Sequence, residues 1–422
     1  MSAEPGPSTP PRLAPREAAA AIVREVHPLP TERVPLQAAR GRVLAAPIVS
    51  TFALPRWDNA AMDGYAVRRA DLPVAGTTLA IVEEIAAGAF PGRALHRGEC
   101  ARIFTGAPIP DGADGVIRQE DTARLDDRTV RVDDLRDVGR NVRRRGEDIA
   151  SGARVFEPGI ELGPAQIGVL AALAEAEIDV HRRPRVAILG TGDELATLEE
   201  RDAILAGTKI ASSNSYAMVA MAEQAGAEVL DLGIARDDPG ALRQRLDLAA
   251  DADLIVTSGG MSVGEHDYLR RLLQDTGATL LFWRLRMRPG APVGFGRYGG
   301  VPWIGLPGNP VSTMVTFELF VRPAIRKLLG HAGLFRRATA VRLGESITTQ
   351  ASLRHFLRVT LSMEDRVLTA RLTGPQGSGV LSSMAKADAL LIVPEDRREV
   401  AAGEALDAIL LNETVHVPES PY

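Results

Sequence analysis

Between residues 185 and 330 the chain alternates short β-branched runs with helical patterns, and this alternation constrains its fold more than any other feature. RVAILG, EVLDLGI and DLIVTSGG read as strands, while 213–226, 239–250 and 266–276 carry helical spacing. Strands that alternate with helices imply a parallel-rich sheet covered on both faces. TLLFWRL, PVGFG and VPWIGL extend that sheet, and 310–329 closes an α/β domain over 183–330 as a long helix.

The rest of the chain reads differently. At 422 residues and 45.0 kDa it exceeds what one core organises, so several domains are expected. Residues 1–15 read as a disordered tail, and 16–50 as a first scaffold piece to which 149–182 returns. From 51 to 148, runs such as TLAIVEEI, CARIFTG and GVIRQED separated by Gly, Pro and Asp predict an inserted β-rich domain. Short strand-like pieces over 335–415, such as FLRVTLS and ALLIVPE, predict a small C-terminal all-β domain.

Composition excludes several classes of function. A net charge of -5 offers no basic field for a nucleic acid partner. Cys100 is the sole cysteine, which rules out an intramolecular disulfide or a thiolate metal cluster and fits a reducing, cytoplasmic location. No apolar run reaches the roughly 18 residues of a membrane span. Only Lys209, Lys327 and Lys386 are lysines, so nearly every cation is arginine.

In a parallel sheet, ligands bind beyond the carboxyl ends of the strands, which directs attention to the loops there. RVAILG runs into Thr191-Gly192-Asp193-Glu194, and VPWIG into Leu306-Pro307-Gly308-Asn309-Pro310. DLIVTS, ending in Ser258, runs into Gly259-Gly260-Met261-Ser262-Val263-Gly264-Glu265-His266-Asp267. Glycines let the backbone approach a ligand, and a helix N-terminus behind them favours an anion. Carboxylates beside such a loop would repel the anion unless a cation intervenes, and Mg²⁺ prefers carboxylate oxygens. Asp193, Glu194 and Asp267 therefore suggest a metal-bridged anion site. One loop of this kind would be ordinary, its carboxylate an N-cap; three together favour a site. No P-loop or dinucleotide fingerprint is present.

In the β-rich region, residues 55–67 (PRWDNAAMDGYAV) pack acids, amides and two aromatics without a period, as a functional loop does. The ordinary alternative is a hairpin turn at Asp63-Gly64. RRRGED over 143–148 taken alone reads as a solvated charge run. Met218 and Met221 read as core, His266 as a solvated loop residue and Cys100 as a small buried one.

These stretches carry a resemblance. DNAAMDGYAV, IFTGAPIP, VRRRGEDI, TGDEL, ARDDP, TSGGMSVGEHDYL, RPG and GLPGNPVS, in this order, resemble the molybdopterin molybdenumtransferases, the family that includes gephyrin's C-terminal domain. The resemblance spans about residues 15–415. It implies an elongated first domain, an inserted β-rich domain, a molybdopterin-binding α/β domain and a C-terminal β-barrel-like domain. It also implies a homodimer whose active site unites DNAAMDGYA of one protomer with TGDEL of its partner.

The implied reaction is Mg²⁺-dependent: molybdate displaces copper at the dithiolene of adenylylated molybdopterin, and the pterin–AMP bond is hydrolysed with release of AMP. A molybdopterin adenylyltransferase would be the upstream partner. Carried over by motif, Asp63, Thr105, Asp148, Glu194, Asp237 and Asp267 become the catalytic set. Ser258, Gly259, Gly260 and Ser262 would cradle the pterin phosphate, Pro307 and Pro310 would shape the neighbouring loop, and Arg354, Arg358 and Ser378 would reach in from the last domain. Where the family commonly reads K-L-x-x-K-P-G-K-P, this chain has Arg284, Arg288 and Ala291 at the three lysine positions. Arg is planar and multidentate, and Ala removes a charge outright.

Other readings keep the fold and change the task. A non-catalytic pterin-binding or scaffolding paralogue is opposed by the intact Asp63, Glu194 and Asp267. A molybdopterin adenylyltransferase is opposed by everything outside 183–330. A tungstate-inserting paralogue would use an oxyanion of nearly the same size and charge.

Overall fold

The computed structural model describes residues 12–260 and 279–411. The chain forms two compact units, one of Ala46–Glu157 with Pro164–Glu177, the other of Met1–Ala45, Pro158–Gly163 and Ile178–Tyr422.

The first unit is built on a six-stranded mixed sheet, ordered Gly115–Arg118, Gly64–Val67, Glu99–Ile103, Thr77–Ile85, Thr129–Val132 and Thr122–Asp126. Alternating side chains fill two separate cores: Ala66, Ala101, Ile103 and Val116 in one, and Tyr65, Val67, Cys100 and Ile117 in the other. Cys100 is thus a small core residue, and burial pushes its thiol up to about 12. Gly64 is not the hairpin glycine of the ordinary alternative. It opens a strand, and a Cβ there would stand 1.9 Å from the Ile117 carbonyl oxygen, so only glycine fits.

In the second unit the six-stranded sheet is ordered Glu228–Ala235, Arg185–Thr191, Leu254–Ser258, Val301–Leu306, Gly294–Tyr298 and Thr279–Phe282. The first four strands are mutually parallel, as the alternation predicts. Gly294–Tyr298 runs antiparallel to both neighbours, because Tyr298 and Val301 are joined by only the tight Gly299-Gly300 turn. Helices Ser213–Gln224 and Pro239–Asp247 connect the parallel strands. They pack into different cores: Met218 and Ala222 join one, Leu242 and Leu246 the other. The helical pattern at 266–276 lies outside the described residues.

The expected long helix over 310–329 is a continuous run of three segments, Pro310–Thr316, a π-turn at Phe317–Val321, and Arg322–Leu328. Pro323 has no N–H to donate into the preceding turn, and the wider turn ahead of it absorbs that break. The N-terminal helix Pro15–Glu25 packs here, with Ala18 and Ile22 in the same core as Phe317, Phe320 and Ala324. Full burial of Ile22 contributes about 1.5–3 kcal/mol. Leu13, inside the span expected as tail, bridges Leu285.

Toward the C-terminus, Ala338–Leu343, Arg354–Glu364, Val367–Leu372, Ala389–Val393 and Ala405–Leu410 close into a five-stranded barrel. Closure follows because the long strand Arg354–Glu364 pairs with both Val367–Leu372 and Ala389–Val393, which leaves those strands no bare edge. Among the described residues no helix is long and apolar enough to cross a membrane.

Candidate functional site

In the α/β sheet, register brings three strand ends level, with Gly190 beside Ser258 and Ser258 beside Leu306. Their loops enclose a cavity of about 500 Å³. Thr191, Gly192 and Glu194 line it from the first loop, Gly259 and Gly260 from the second, and Pro307, Gly308, Asn309 and Pro310 from the third. Asp237 lines it from the loop after Glu228–Ala235. Met261 to Asp267, including Ser262, Gly264 and Asp267, lie outside the described residues.

Close backbone approach explains the glycines. Gly259 has φ +98°, and a Cβ on it would stand 2.4 Å from the Thr191 carbonyl oxygen. Its N–H donates to the Leu306 carbonyl at 3.2 Å, so all three loops touch at this point. Ser258 is 2% exposed, and its hydroxyl donates to the Pro307 carbonyl at 3.1 Å. It is a strut between loops.

Asn214 completes the frame, and sequence reasoning missed it. Its side-chain amide donates to Ser258 Oγ and to the Gly308 carbonyl, both at 2.8 Å. The signal was present as Ser212-Ser213-Asn214-Ser215 ahead of a helical pattern, the composition of a helix start. Ser213 and Asn214 line the cavity, so the N-terminus of the twelve-residue helix Ser213–Gln224 faces it, as does Pro310 at the start of the next helical run. Both positive helix ends favour an anion. Among the described residues no Lys or Arg lines the cavity, and the charged groups there are the carboxylates of Glu194 and Asp237.

The other expected residues sit elsewhere. Asp193 is absent from the lining; its Oδ1 accepts the Asp237 N–H at 3.3 Å, and its carbonyl accepts the Lys209 ammonium. Arg288 is exposed and donates to Gln350 Oε1 at 3.4 Å. Arg284 has a buried Nε with no hydrogen-bond partner among the described residues, while the Ala291 carbonyl accepts the Leu285 N–H at 2.8 Å. Arg354 pairs with Glu395 at 2.8 Å. Arg358 is fully buried within the barrel, its guanidinium donating to Ser383 Oγ and to the carbonyls of Pro375, Gln376 and Gly377. Desolvation lowers its pKa. The loop so held presents the Ser378 carbonyl to the Val311 N–H at 3.0 Å, one residue from Pro310 of the cavity. Among the described residues, no group of three or more His, Cys, Asp or Glu is placed to hold a metal ion.

In the other unit, DNAAMDG, FTGAP and RRRGED meet in one loop cluster. Asn59–Ala60 pairs with Val142–Arg143, and the Ala60 N–H donates to the Ala107 carbonyl at 2.9 Å. Asp63 Oδ1 accepts both the backbone N–H and the hydroxyl of Thr105, each at 2.7 Å. The Thr105 N–H, then its hydroxyl, hold the Asp63 carboxyl below the usual carboxylate range. Asp58 takes the Arg145 N–H at 2.7 Å and the Arg144 guanidinium at 2.6 Å, the backbone bond being the larger cause of its lowered pKa. RRRGED is therefore tied into the cluster through Arg144 and Arg145. Asp148 is exposed, its N–H donating to the Leu54 carbonyl at 3.1 Å.

Comparison with known proteins bears on the whole chain. Residues 13–174 match the model of the MoeA N-terminal region (domain I and II), 187–327 that of a probable molybdopterin binding domain, and 340–411 that of the MoeA C-terminal region (domain IV). A molybdopterin molybdenumtransferase of Nostoc sp. is 38% identical over 384 residues, covering 89% of this chain and 87% of the relative. This chain belongs to the molybdopterin molybdenumtransferase family. Molybdopterin molybdenumtransferase 2 of Mycobacterium tuberculosis is likewise 38% identical, covering 88% of this chain and 93% of its own length. The crystal structure of a molybdopterin biosynthesis moeA protein from Pyrococcus horikoshii OT3 superposes with a TM-score of 0.81 at 30% identity, over 95% of this chain and 100% of that one. Membership in the molybdenumtransferase family makes the chain an enzyme of molybdenum cofactor biosynthesis.

Proposed function

We propose that this enzyme inserts molybdate into adenylylated molybdopterin with release of AMP, the last step of molybdenum cofactor synthesis, and that it uses Mg²⁺. The observation that carries this reading is the make-up of the cavity: among the described residues its lining has two carboxylates, two helix N-termini and no basic side chain. A phosphate ligand fits that set with a divalent cation between. Mg²⁺ takes one or two carboxylates and fills its other positions with water and phosphate oxygens. Glu194 and Asp237 are the described carboxylates that would hold it, with Asp267 a further candidate outside the described residues and Asp193 supporting the loop of Asp237. The ion would neutralise charge on the phosphoanhydride.

The Gly259-Gly260 backbone and the helix starting at Ser213 would bind the pterin phosphate. Water then adds across the phosphoanhydride, so one phosphate stays on the pterin and the other leaves on adenosine. Asp63, Thr105 and Asp148 would act on the same substrate from their own cluster, within a homodimer. The adenylylated substrate would come from a molybdopterin adenylyltransferase in the cytoplasm. The elongated scaffold domain would be 16–50 with 149–182, the inserted domain 51–148, the α/β domain 183–330 and the barrel domain 335–415.

A strain that lacks its molybdenumtransferase tests the reading, with nitrate reductase activity as readout. The intact chain should restore activity, Glu194→Gln should not, and chelator should stop AMP release by the purified enzyme. Equal rescue by Glu194→Gln, or undiminished AMP release in excess chelator, would sink the metal-bridged mechanism.

A further inference from the structure

Lys209 carries a charge for which the roles above have no use. It is one of three lysines among 49 basic residues, and it sits half-buried between two stretches of the cavity wall. On one side Ile210 and Ala211 line the cavity. On the other, the Lys209 ammonium donates to the Asp193 carbonyl, between the lining residues Gly192 and Glu194. Backbone bonds fix the segment there. Ile210–Ala211 pairs in parallel with Leu195–Ala196, the Ile210 N–H donates to the Glu194 carbonyl at 2.9 Å, and the Lys209 N–H donates to the Ala203 carbonyl at 3.3 Å. The Asp193 carbonyl is a neutral acceptor, and among the described residues no carboxylate forms a salt bridge with Lys209. An ammonium has three donors, so the bond that holds it leaves two N–H groups and the whole charge without a counter-ion among those residues.

A compact cation at the edge of a cavity whose two helix N-termini already favour an anion suits a tetrahedral oxyanion. Lysine binds such groups as a point charge and needs no planar match. We infer that Lys209 is a binding residue for an oxyanion of the substrates, either free molybdate or a phosphate of the adenylylated pterin. This inference rests on the reaction proposed above, in which Mg²⁺ neutralises Glu194 and Asp237 and so leaves the Lys209 charge to the incoming anion. A clamp that only held the Asp193 loop would make the same hydrogen bond. Its loss, however, would lower turnover at every substrate concentration and would not depend on salt.

Calorimetric titration of the full-length enzyme with molybdate alone, and with inorganic phosphate alone, tests the assignment. Lys209→Met removes the charge at similar side-chain length and should weaken oxyanion binding about tenfold, the loss of one charge-assisted hydrogen bond. Lys209→Arg keeps the charge and should stay close to the unsubstituted enzyme. Raising the salt to about 1 M should shrink the difference between Lys209→Met and the unsubstituted enzyme, because salt screens a half-exposed charge. Turnover separates the two sources. If the anion is free molybdate, the molybdate concentration for half-maximal insertion should rise about tenfold in Lys209→Met while the KM for the pterin substrate holds; if it is the substrate's phosphate, the reverse is expected. In either case the rate at saturation should match that of the unsubstituted enzyme.

Unchanged oxyanion affinity in Lys209→Met, an equal loss in Lys209→Arg, or a lower saturating rate with both half-saturation concentrations unchanged would overturn the assignment. AMP release is assayed separately on the unsubstituted enzyme. Release by an enzyme whose oxyanion affinity is indifferent to Lys209 would leave the reaction standing and remove the binding residue, whereas oxyanion binding that depends on Lys209 without AMP release would do the reverse.

Discussion

Asp63 and Thr105 are 42 residues apart in sequence and share two hydrogen bonds. Because Asp63 is held below its ordinary range, which in an unfolded chain lies near pH 4, its stabilisation of the loop is complete above that pH. It is lost as pH falls through the lower, folded value. Thr105→Val removes the hydroxyl donor and keeps the backbone donor, so the Asp63 carboxyl should titrate part of the way back toward the ordinary range. Carboxyl-carbon NMR would follow this, and an unchanged titration would mean that the backbone N–H does all the holding. The variant's loop should also come apart at a higher pH than that of the unsubstituted enzyme.

Among the elements, the parallel strands matter because their carboxyl ends are level and their loops are in backbone contact. Gly259→Ala would force a Cβ against the Thr191 carbonyl in a backbone conformation that alanine rarely adopts. A loss of about 1–3 kcal/mol of stability is expected, with activity falling further as the loops part. Gly308→Ala is the matched control, since its Cβ would meet nothing closer than the Gly259 Cα at 3.7 Å. Thermal unfolding and AMP release of the two variants would check the contrast, and equal behaviour would show that close approach at Gly259 is not what the site requires.

For the molecule as a whole, Asp63 lies in one compact unit and Glu194 in the other. If each active site of the proposed homodimer draws Asp63 from one protomer and Glu194 from its partner, Asp63→Asn and Glu194→Gln proteins, each inactive, should regain activity when mixed. Some heterodimers would carry both lesions in one site and none in the other. Mass spectrometry would confirm subunit exchange, and a mixture that exchanges yet stays inactive would refute sharing between protomers.

Local pattern determined much of this. Period-2 and period-3.6 runs are set by neighbours a few residues away, so the α/β alternation from 185 onward and the glycine-rich loops at its strand ends were legible in the chain alone. So was the family, through motifs in a fixed order. What local pattern could not convey depends on contacts distant in sequence. The antiparallel strand Gly294–Tyr298 and the closure of the barrel are pairing choices. Gly64 reads as a turn residue until Ile117 is seen against it. Arg358 reads as a cation free to reach a ligand, but the fold buries it under its own loop. Asn214 reads as part of a helix start, and its bonds to Ser258 and Gly308 exist only because strands 44 to 94 residues away end beside it. Sequence supplies the donors and acceptors, and tertiary packing decides which of them meet, because a hydrogen bond depends on distance and angle in space.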